Sequence, residues 1–408
     1  MRYKISAPSQ IKVSIQLPAS KSISNRALII HALSKGDTLP SNLSDCDDTQ
    51  VMIKALTEDN DTIDIMAAGT AMRFLTAYLS VTHGSHIITG TERMQQRPIL
   101  LLVNALRELG AEIEYVNNEG YPPLRITGRE FVGNTISLEG SVSSQYISAL
   151  LMIGPVLKNG LTINLTGNII SRPYINLTLQ LMRDFGGSAD WCAENSILVK
   201  PQPYEDRSFI VESDWSGASY WYQIAALANE AEIELKGLFR NSYQGDSRGA
   251  EVFAKLGVTT DFTDAGVRLR KTKIKPEQLE ENFIDIPDLA QTFVVTCALL
   301  NIPFRFTGLQ SLKIKETDRI AALIAEMKKL GYILRDENDS VLVWDGDRCQ
   351  PEETPIIKTY EDHRMAMAFA PACIFFPQMR IDQPAVVTKS YPAYWNDLKT
   401  AGFLIEEE

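Results

Sequence analysis

The chain has 408 residues, of which 45% are apolar and 22% are charged, and its formal net charge is −11. This length is enough for two domains with full cores, and the acidic balance argues against nucleic acid or an anionic membrane as the main partner. Five scattered cysteines without a C-x-x-C pair, and only four histidines, argue against a zinc site and fit reduced thiols. Because the sequence shows neither an apolar signal core nor a run of about 18 apolar residues, we expect a cytoplasmic protein.

Strand and helix patterns alternate along the chain, as is typical of α/β proteins. Apolar runs with strand character predict strands at residues 11–17, 86–89, 161–165, 208–211, 232–235, 304–307 and 340–344. Apolar residues at helical spacing predict helices at residues 25–33, 70–81, 99–109, 145–152, 174–185, 218–228, 289–300, 320–330 and 364–375.

Five segments share the order amphipathic helix, glycine, short strand. Their glycines are Gly110, Gly186, Gly257, Gly331 and Gly402, spaced 71 to 76 residues apart. A glycine directly after a helix suits the left-handed conformation that ends it. The period is too long for a solenoid, so it favours a repeated α/β unit with two helices and several strands. Chance recurrence is the alternative, since helix–glycine–strand is common in α/β proteins.

A block of cations and hydroxyls precedes the first predicted helix. Lys21, Ser22 and Arg26 stand in the sequence S-K-S-I-S-N-R, which leads into an apolar helix pattern. Free N–H groups and the positive end of the dipole make a helix N-terminus suitable for a phosphate or carboxylate. An ordinary N-cap serine beside solvated charges is the alternative for this block taken alone.

Similar blocks recur before later helices. Each of them, taken alone, is also compatible with an ordinary helix start or a surface arginine. In the first half of the chain they contain Gly69, Thr70 and Arg73, then Arg97 before a proline, then Ser143, Ser144 and Gln145, and then Ser171 with Tyr174.

The second half contains the densest block. Lys315 and Arg319 are four residues apart, which predicts one helical face, and Glu316 lies beside them. Cations at a helix N-terminus oppose the dipole, which suggests a bound anion, although a solvated helix face is the alternative. Asp288 opens another apolar helix and is compatible with an N-cap or a base.

Two further blocks follow. Asp362, His363 and Arg364 precede an apolar helix, and Lys389 follows a strand-like run. A histidine can act as an acid or base near neutral pH, but a structural hydrogen-bonding role is the alternative.

Together these blocks resemble the 5-enolpyruvylshikimate-3-phosphate synthase family. The blocks S-K-S-x-S-N-R, G-T-A-M-R, S-S-Q-Y, K-E-T-D-R and D-H-R-M-A-M occur in the family's order between Leu17 and Tyr394. The resemblance implies an α/β fold of two similar domains, each of three βαβαββ repeats in an inside-out barrel-like arrangement, closing over an interdomain active site. It also implies that residues 20–213 form one domain and that residues 1–19 and 214–408 form the other.

The implied activity is the transfer of the enolpyruvyl group of phosphoenolpyruvate to the 5-hydroxyl of shikimate 3-phosphate, with release of phosphate. This addition–elimination belongs to the shikimate pathway of chorismate and aromatic amino acid biosynthesis. The family uses no metal or organic cofactor. We expect a monomer whose partners are its two small-molecule substrates, without nucleic acid or membrane.

The resemblance also implies roles for individual residues. The expected catalytic residues are Asp288, Glu316 and Lys21. The expected shikimate 3-phosphate ligands are Lys21, Ser22, Arg26, Ser143, Ser144, Gln145, Ser171, Asp288 and Lys315. The expected phosphoenolpyruvate ligands are Lys21, Gly69, Arg97, Gln145, Arg319, Arg364 and Lys389. The expected supporting residues are Thr70, Arg73, Tyr174, Asp362 and His363.

The chain departs from the family pattern at four positions. Ala67 and Phe74 replace the usual Asn and Pro around G-T-A-M-R, and Ser311 and Glu361 each replace an Asn. The first two lie near the family's phosphoenolpyruvate pocket, so the resemblance does not extend to affinity for phosphoenolpyruvate or to sensitivity to glyphosate, the family's herbicide inhibitor. Two alternatives remain: an enolpyruvyl transferase acting on a UDP-amino sugar, and a non-catalytic anion-binding relative or one domain of a multi-step complex.

Overall fold

The computed structural model describes residues 1–58, 60–141 and 143–408. Its helices are α1 Lys21–Ser34, α2 Asp47–Thr57, α3 Gly69–Val81, α4 Glu92–Gln95, α5 Leu100–Leu109, α6 Ser144–Ile153, α7 Arg172–Asp184, α8 Trp215–Leu227, α9 Gly249–Lys255, α10 Ala290–Leu299, α11 Arg319–Lys329, α12 His363–Phe369 and α13 Tyr394–Thr400. Its strands are β1 Arg2–Ser6, β2 Ile11–Gln16, β3 Thr62–Asp64, β4 Ser85–Thr89, β5 Glu112–Tyr115, β6 Leu124–Thr127, β7 Thr135–Glu139, β8 Leu161–Thr166, β9 Ala189–Ala193, β10 Ser196–Val199, β11 Ala231–Lys236, β12 Val258–Thr263, β13 Gly266–Lys271, β14 Leu279–Asn282, β15 Phe304–Thr307, β16 Arg335–Glu337, β17 Val341–Trp344, β18 Ile356–Ile357, β19 Arg380–Asp382 and β20 Leu404–Glu407.

The chain folds into two compact units. Unit 1 comprises Met1–Pro18 and Glu212–Glu408, and unit 2 comprises Ala19–Val211. The chain therefore changes unit after residues 18 and 211, where the sequence predicted changes after residues 19 and 213. Residue 213 lies in unit 1 because the N–H of Ser213 donates to the carbonyl of Gly237 over 2.9 Å.

One sheet pattern recurs in both units. The sheets of unit 1 have the strand orders β2-β11-β13-β12, β14-β15-β17-β16 and β18-β19-β1-β20, and those of unit 2 have the orders β3-β4-β6-β5 and β7-β8-β10-β9. In each sheet the first pair is parallel and the other two pairs are antiparallel. A helix follows each of the first two strands, as in β14-α10-β15-α11-β16-β17, so the unit is βαβαββ.

The predicted strand at residues 208–211 is wrong. In its place the structure has a single parallel bridge between Ile210 and Ser41. Pro40 directly precedes Ser41 and has no N–H to donate, so the pairing does not extend past it. Ile210 also remains 67% exposed, so it adds little apolar burial to hold a longer strand.

The helix–glycine–strand repeat is confirmed. All five glycines have positive φ angles, from 82° at Gly186 to 116° at Gly110, and thereby end the preceding helix. The strands that follow them are β5, β9, β12, β16 and β20, and each is an edge strand of its sheet.

The most apolar helices lie inside the two units. Every residue of α8, α10 and α12 is buried, and α10 packs against both of the others. In unit 2 the helices α1, α3 and α6 pack against one another in the same way. Strands such as β7 alternate buried and exposed residues, so the sheets cover the helices with one face toward the core. Helices apolar on all sides are expected at such buried positions.

All nine predicted helices are present, with shifted ends. The prediction for residues 364–375 is too long, because α12 ends at Phe369 and the chain continues as a 3₁₀ turn over Ala370–Ile374. Pro371 lies in that turn and cannot donate the hydrogen bond that a continuing α-helix requires. Among the helices described, none combines the length and apolar content needed to cross a membrane.

Replacing Gly257 by alanine should lower the apparent Tm more than replacing Gly346. Both glycines have positive φ angles, 85° and 99°, so both variants carry backbone strain. A Cβ at Gly257 would lie 2.5 Å from the carbonyl oxygen of Ile274, whereas one at Gly346 would have no atom of the described residues within 4 Å apart from the glycine itself and its two chain neighbours. We expect Gly257→Ala to cost about 1–3 kcal/mol more. Thermal unfolding followed by circular dichroism measures this, and equal Tm values would contradict it.

Candidate active site

Helix starts in unit 2 bring the first group of predicted residues together. The Ser20 hydroxyl caps α1 by accepting from the N–H of Ile23, and the Ser143 hydroxyl caps α6 by accepting from the N–H of Gln145. The Gln145 side-chain amide donates to the Thr70 hydroxyl over 3.1 Å. The first turns of α6 and α3 are therefore in direct contact.

Arg26 ties four helices together. Its guanidinium donates to Thr178 on α7 over 2.7 Å, to Ser148 on α6 over 3.1 Å and to the carbonyl of Ser22 on α1 over 2.9 Å. It also lies over the ring of Phe74 on α3, 5.2 Å from the centroid. Burial lowers the pKa of Arg26 to about 10, so the group is still cationic at neutral pH.

Two further guanidinium groups meet at Gly69. A Cβ at this position would lie 2.6 Å from Nη1 of Arg97 and 2.8 Å from Nη1 of Arg73, so a larger residue here would displace both guanidinium groups. Arg73 donates to the Gly69 carbonyl over 2.8 Å. Like charges so close together repel, and an anion between them would relieve that repulsion.

The remaining predicted residues of unit 2 lie on the same helices. Lys21 forms a 3.4 Å ion pair with the buried carboxylate of Asp48. Ser144 is the first residue of α6, and Tyr174 lies in the first turn of α7. Ser171 precedes α7 with a φ angle of 56° and is buried. We call the predicted residues of this unit, from Lys21 to Tyr174, the unit 2 cluster.

In unit 1 the predicted residues surround one buried guanidinium. Arg319, only 1% exposed, donates to Asp362 over 2.7 Å, to Glu316 over 2.9 Å and to Asp288 over 3.1 Å. Burial alone would lower the pKa of Arg319, but the three carboxylates raise it above its ordinary value. The group is therefore a permanent cation that binds three acidic side chains.

Further cations contact the same carboxylates. Arg364 donates to Asp288 over 2.8 Å, and the Lys315 ammonium lies 3.5 Å from the same carboxylate. Lys389 lies 3.4 Å from Glu316. Burial alone would raise the pKa of Asp288, but the neighbouring cations, Arg364 first, hold it well below its usual range. The predicted residues of this unit, from Asp288 to Lys389, form what we call the unit 1 cluster.

The predicted helical pairing of Lys315 with Arg319 is wrong. Helix α11 begins only at Arg319, after Asp318 caps it by accepting from the N–H of Ala321. Lys315 instead follows a 3₁₀ turn over Gln310–Ile314. The two cations nevertheless meet, because both contact Asp288.

His363 begins α12 beside its N-cap, Asp362. Asp362 is fully buried and accepts from the N–H of Arg364 over 2.9 Å, so it serves both as helix cap and as a partner of Arg319. Nδ1 of His363 lies 3.9 Å from the Asp362 carboxylate.

The sequence did not reveal three other residues at this cluster. Asp246 is buried in a 3₁₀ turn and accepts a hydrogen bond from the Ser216 hydroxyl at the start of α8. The Tyr220 hydroxyl lies 3.5 Å from the Arg364 guanidinium. Nothing in the spacing of these residues marks them, since each acts through a partner far away in the chain.

Replacing Asp246 by asparagine should change how stability varies with pH. Burial, and then the charge of Asp288, raises the pKa of Asp246 to about 6, against about 3.9 in an unfolded chain. The folded protein holds the Asp246 proton more tightly than the unfolded chain does, so protonation of this carboxyl stabilises the fold. This stabilisation is complete below about pH 4 and is lost as pH rises through about 6. The stability of the wild type relative to Asp246→Asn should therefore fall by roughly 2 kcal/mol between about pH 4 and 7. Urea unfolding at a series of pH values measures this, and a constant difference would refute it.

Comparison with known proteins identifies relatives along the whole chain. The family model described as EPSP synthase (3-phosphoshikimate 1-carboxyvinyltransferase) matches residues 5–58 and 56–398. A 3-phosphoshikimate 1-carboxyvinyltransferase of Bacteroides fragilis is 75% identical over 406 residues, which cover 100% of this chain and 99% of the relative. The protein of the same name from Vibrio atlanticus is 35% identical, covering 96% of this chain and 97% of its own.

Solved structures share the fold. An EPSP synthase from Acinetobacter baumannii has a TM-score of 0.78 at 19% identity and covers 100% of both chains. The enolpyruvyl transferase NikO from Streptomyces tendae has a TM-score of 0.75 at 13% identity, over 99% of this chain and 98% of its own. These likenesses confirm the predicted fold class. By its family model and its relatives, the chain belongs to the EPSP synthase (3-phosphoshikimate 1-carboxyvinyltransferase) family.

Proposed function

We propose that this chain transfers the enolpyruvyl group of phosphoenolpyruvate to the 5-hydroxyl of shikimate 3-phosphate, and that the unit 1 and unit 2 clusters both serve this reaction. The observation that carries the proposal is the sharing of Arg319 by Asp288 and Glu316, at 3.1 and 2.9 Å, beside further cations. Such a pair offers proton transfer next to anion binding, which this chemistry requires.

The unit 2 cluster supplies binding groups for both substrates. Its serine hydroxyls, with Lys21 and Arg26, bind the phosphate and the carboxylate of shikimate 3-phosphate. Arg97 beside Gly69 binds phosphoenolpyruvate through a forked, charge-assisted contact. Gln145 contacts both substrates from the first turn of α6. Helix N-termini add N–H groups and a favourable dipole to these contacts.

The unit 1 cluster supplies the remaining cations and the two proton-transferring carboxylates. Lys315 binds shikimate 3-phosphate, and Arg319, Arg364 and Lys389 bind phosphoenolpyruvate. Without ligands the cations hold Asp288 ionised. When anionic substrates bind, their charges offset those cations, so the pKa of Asp288 rises and the group becomes able to take up a proton.

The bond changes are balanced by these two carboxylates. In the addition, the 5-oxygen of shikimate 3-phosphate forms a bond to C2 of phosphoenolpyruvate and loses its proton, while C3 gains a proton. In the elimination, C3 returns a proton, the double bond forms again and the bond from C2 to the phosphate oxygen breaks. Cations around the departing phosphate stabilise its charge. Asp288 and Glu316 are the proposed donors and acceptors of these protons.

Release of inorganic phosphate from the purified full-length chain tests the proposal. We expect release only when both substrates are present. The Lys21→Ala and Glu316→Gln variants should lower kcat about 100-fold or more, because each removes a charge or a proton carrier from the reacting groups. Lys54→Ala and Glu353→Gln are matched controls, since both side chains are exposed and lie outside the clusters.

Three results would contradict the proposal. Phosphate release that needs only one substrate would indicate hydrolysis rather than transfer. Release with a UDP-amino sugar but not with shikimate 3-phosphate would indicate a different acceptor. Binding of shikimate 3-phosphate without any release would indicate a non-catalytic relative.

We also propose that the protein works as a monomer in the cytoplasm. All five cysteines are free thiols in the structure, as is usual in a reducing compartment. Size-exclusion chromatography with light scattering should give the mass of one chain, 45.5 kDa. Twice that mass at micromolar concentration would refute the monomer.

A further inference from the structure

The turn before α12 is strained. Tyr360 and Glu361 have φ angles of 55° and 56°, in the left-handed region that residues other than glycine adopt only at an energetic cost. Such a conformation persists where surrounding contacts hold it. The next residues are Asp362, which binds Arg319, and Arg364, which binds Asp288. The geometry of this turn therefore sets where two members of the unit 1 cluster lie.

A buried carboxylate on α11 holds the turn. Glu326 is fully buried and accepts from the Tyr360 hydroxyl over 2.7 Å and from the N–H of Lys358 over 3.0 Å. Burial, and then the Glu326 carboxylate, raises the pKa of the Tyr360 hydroxyl, so at neutral pH this group is a hydrogen-bond donor. The contact thus fixes both the backbone and a side chain of the strained segment.

Lys329 balances the buried charge of Glu326. Its ammonium donates to the Glu326 carboxylate over 2.6 Å and to the carbonyl of Ile356 over 2.8 Å. A buried carboxylate is stable only with such partners. Through this pair, α11 also contacts β18, the strand that leads into the turn.

Helix α11 therefore contacts the segment from Lys358 to Asp362 at both of its ends. Arg319, the first residue of α11, binds Asp362 after the strained residues. Glu326, two helical turns later, binds Tyr360, which is the first strained residue, and the N–H of Lys358 before it. Residues seven apart lie on the same face of a helix, so a single surface of α11 makes both contacts. The strained residues are therefore held by contacts of α11 with Lys358, Tyr360 and Asp362.

We propose that Glu326 is a positioning residue of this enzyme: through Tyr360 it fixes the turn that places Arg364 for binding phosphoenolpyruvate. The inference rests on the proposed function, in which Arg364 binds that substrate. Glu326 belongs to none of the motif blocks, and its hydrogen bonds connect it to Tyr360, Lys358 and Lys329. Its role would be exerted only through the backbone between residues 358 and 364.

Steady-state kinetics of the full-length chain test this role. We expect Glu326→Gln and Tyr360→Phe each to raise KM for phosphoenolpyruvate about 5-fold or more, with KM for shikimate 3-phosphate changed less than about 2-fold. The double variant should be scarcely worse than either single one, because both act through the same contact. Lys358→Ala is the matched control, since only its backbone N–H meets Glu326 and its side chain is exposed. All assays run well below the Tm of every variant.

Each outcome decides between the two proposals. A lower Tm with both KM values unchanged would mean that Glu326 only stabilises the fold, and would overturn the inference alone. Equal rises in both KM values would also overturn it, because they would indicate general loosening. A wild type that releases no phosphate would overturn the proposed function and this inference with it.

Discussion

The arrangement of unit 1 depends on one buried guanidinium. Arg319 is removed from water, and such a charge is tolerated only when carboxylates and hydrogen bonds replace its hydration. Its three partners come from separate segments: Asp288 before α10, Glu316 before α11 and Asp362 at the cap of α12. A single planar donor thus fixes three chain segments relative to one another. Lysine could not do this, because its ammonium lacks the rigid fork of donors.

The repeat explains why reactive groups collect at helix starts. In βαβαββ the first helix of each sheet unit is the buried one: α8, α10 and α12 in unit 1, and α3 and α6 in unit 2. A helix inside a packed core is a rigid support for the residues at its N-terminus. The residues before and within the first turn of these helices include Asp288, Asp362 and Arg364 of the unit 1 cluster, and Gly69, Thr70 and Gln145 of the unit 2 cluster. The connection from the first strand to the first helix thus carries different polar side chains in different copies of the repeat.

Local chemistry was readable from the sequence, whereas contacts between distant segments were not. The helix-ending glycines were predicted from their conformational preference, and the buried helices from the spacing of apolar residues. Both signals are contained within a few neighbouring residues. The position of Lys315 outside α11 depends on the cap formed by Asp318, which competes with a longer helix. Asp246 and Glu326 have hydrogen-bond partners about 30 residues away, Ser216 and Tyr360, so no local sequence motif identifies them.

The same repeat accounts for the points at which the chain changes unit. The chain leaves unit 1 directly after β2, which is the first strand of one βαβαββ repeat. It returns to unit 1 just before α8, which is the first helix of the same repeat. A similar arrangement occurs inside unit 2, where Ile210 pairs in parallel with Ser41. This is the orientation of the first two strands in each sheet, and α1 lies just before Ser41 in the chain. Unit 2 is thus inserted at the first strand-to-helix connection of a repeat. Insertion there leaves every sheet and every buried helix intact, so each unit keeps its own core despite the interruption.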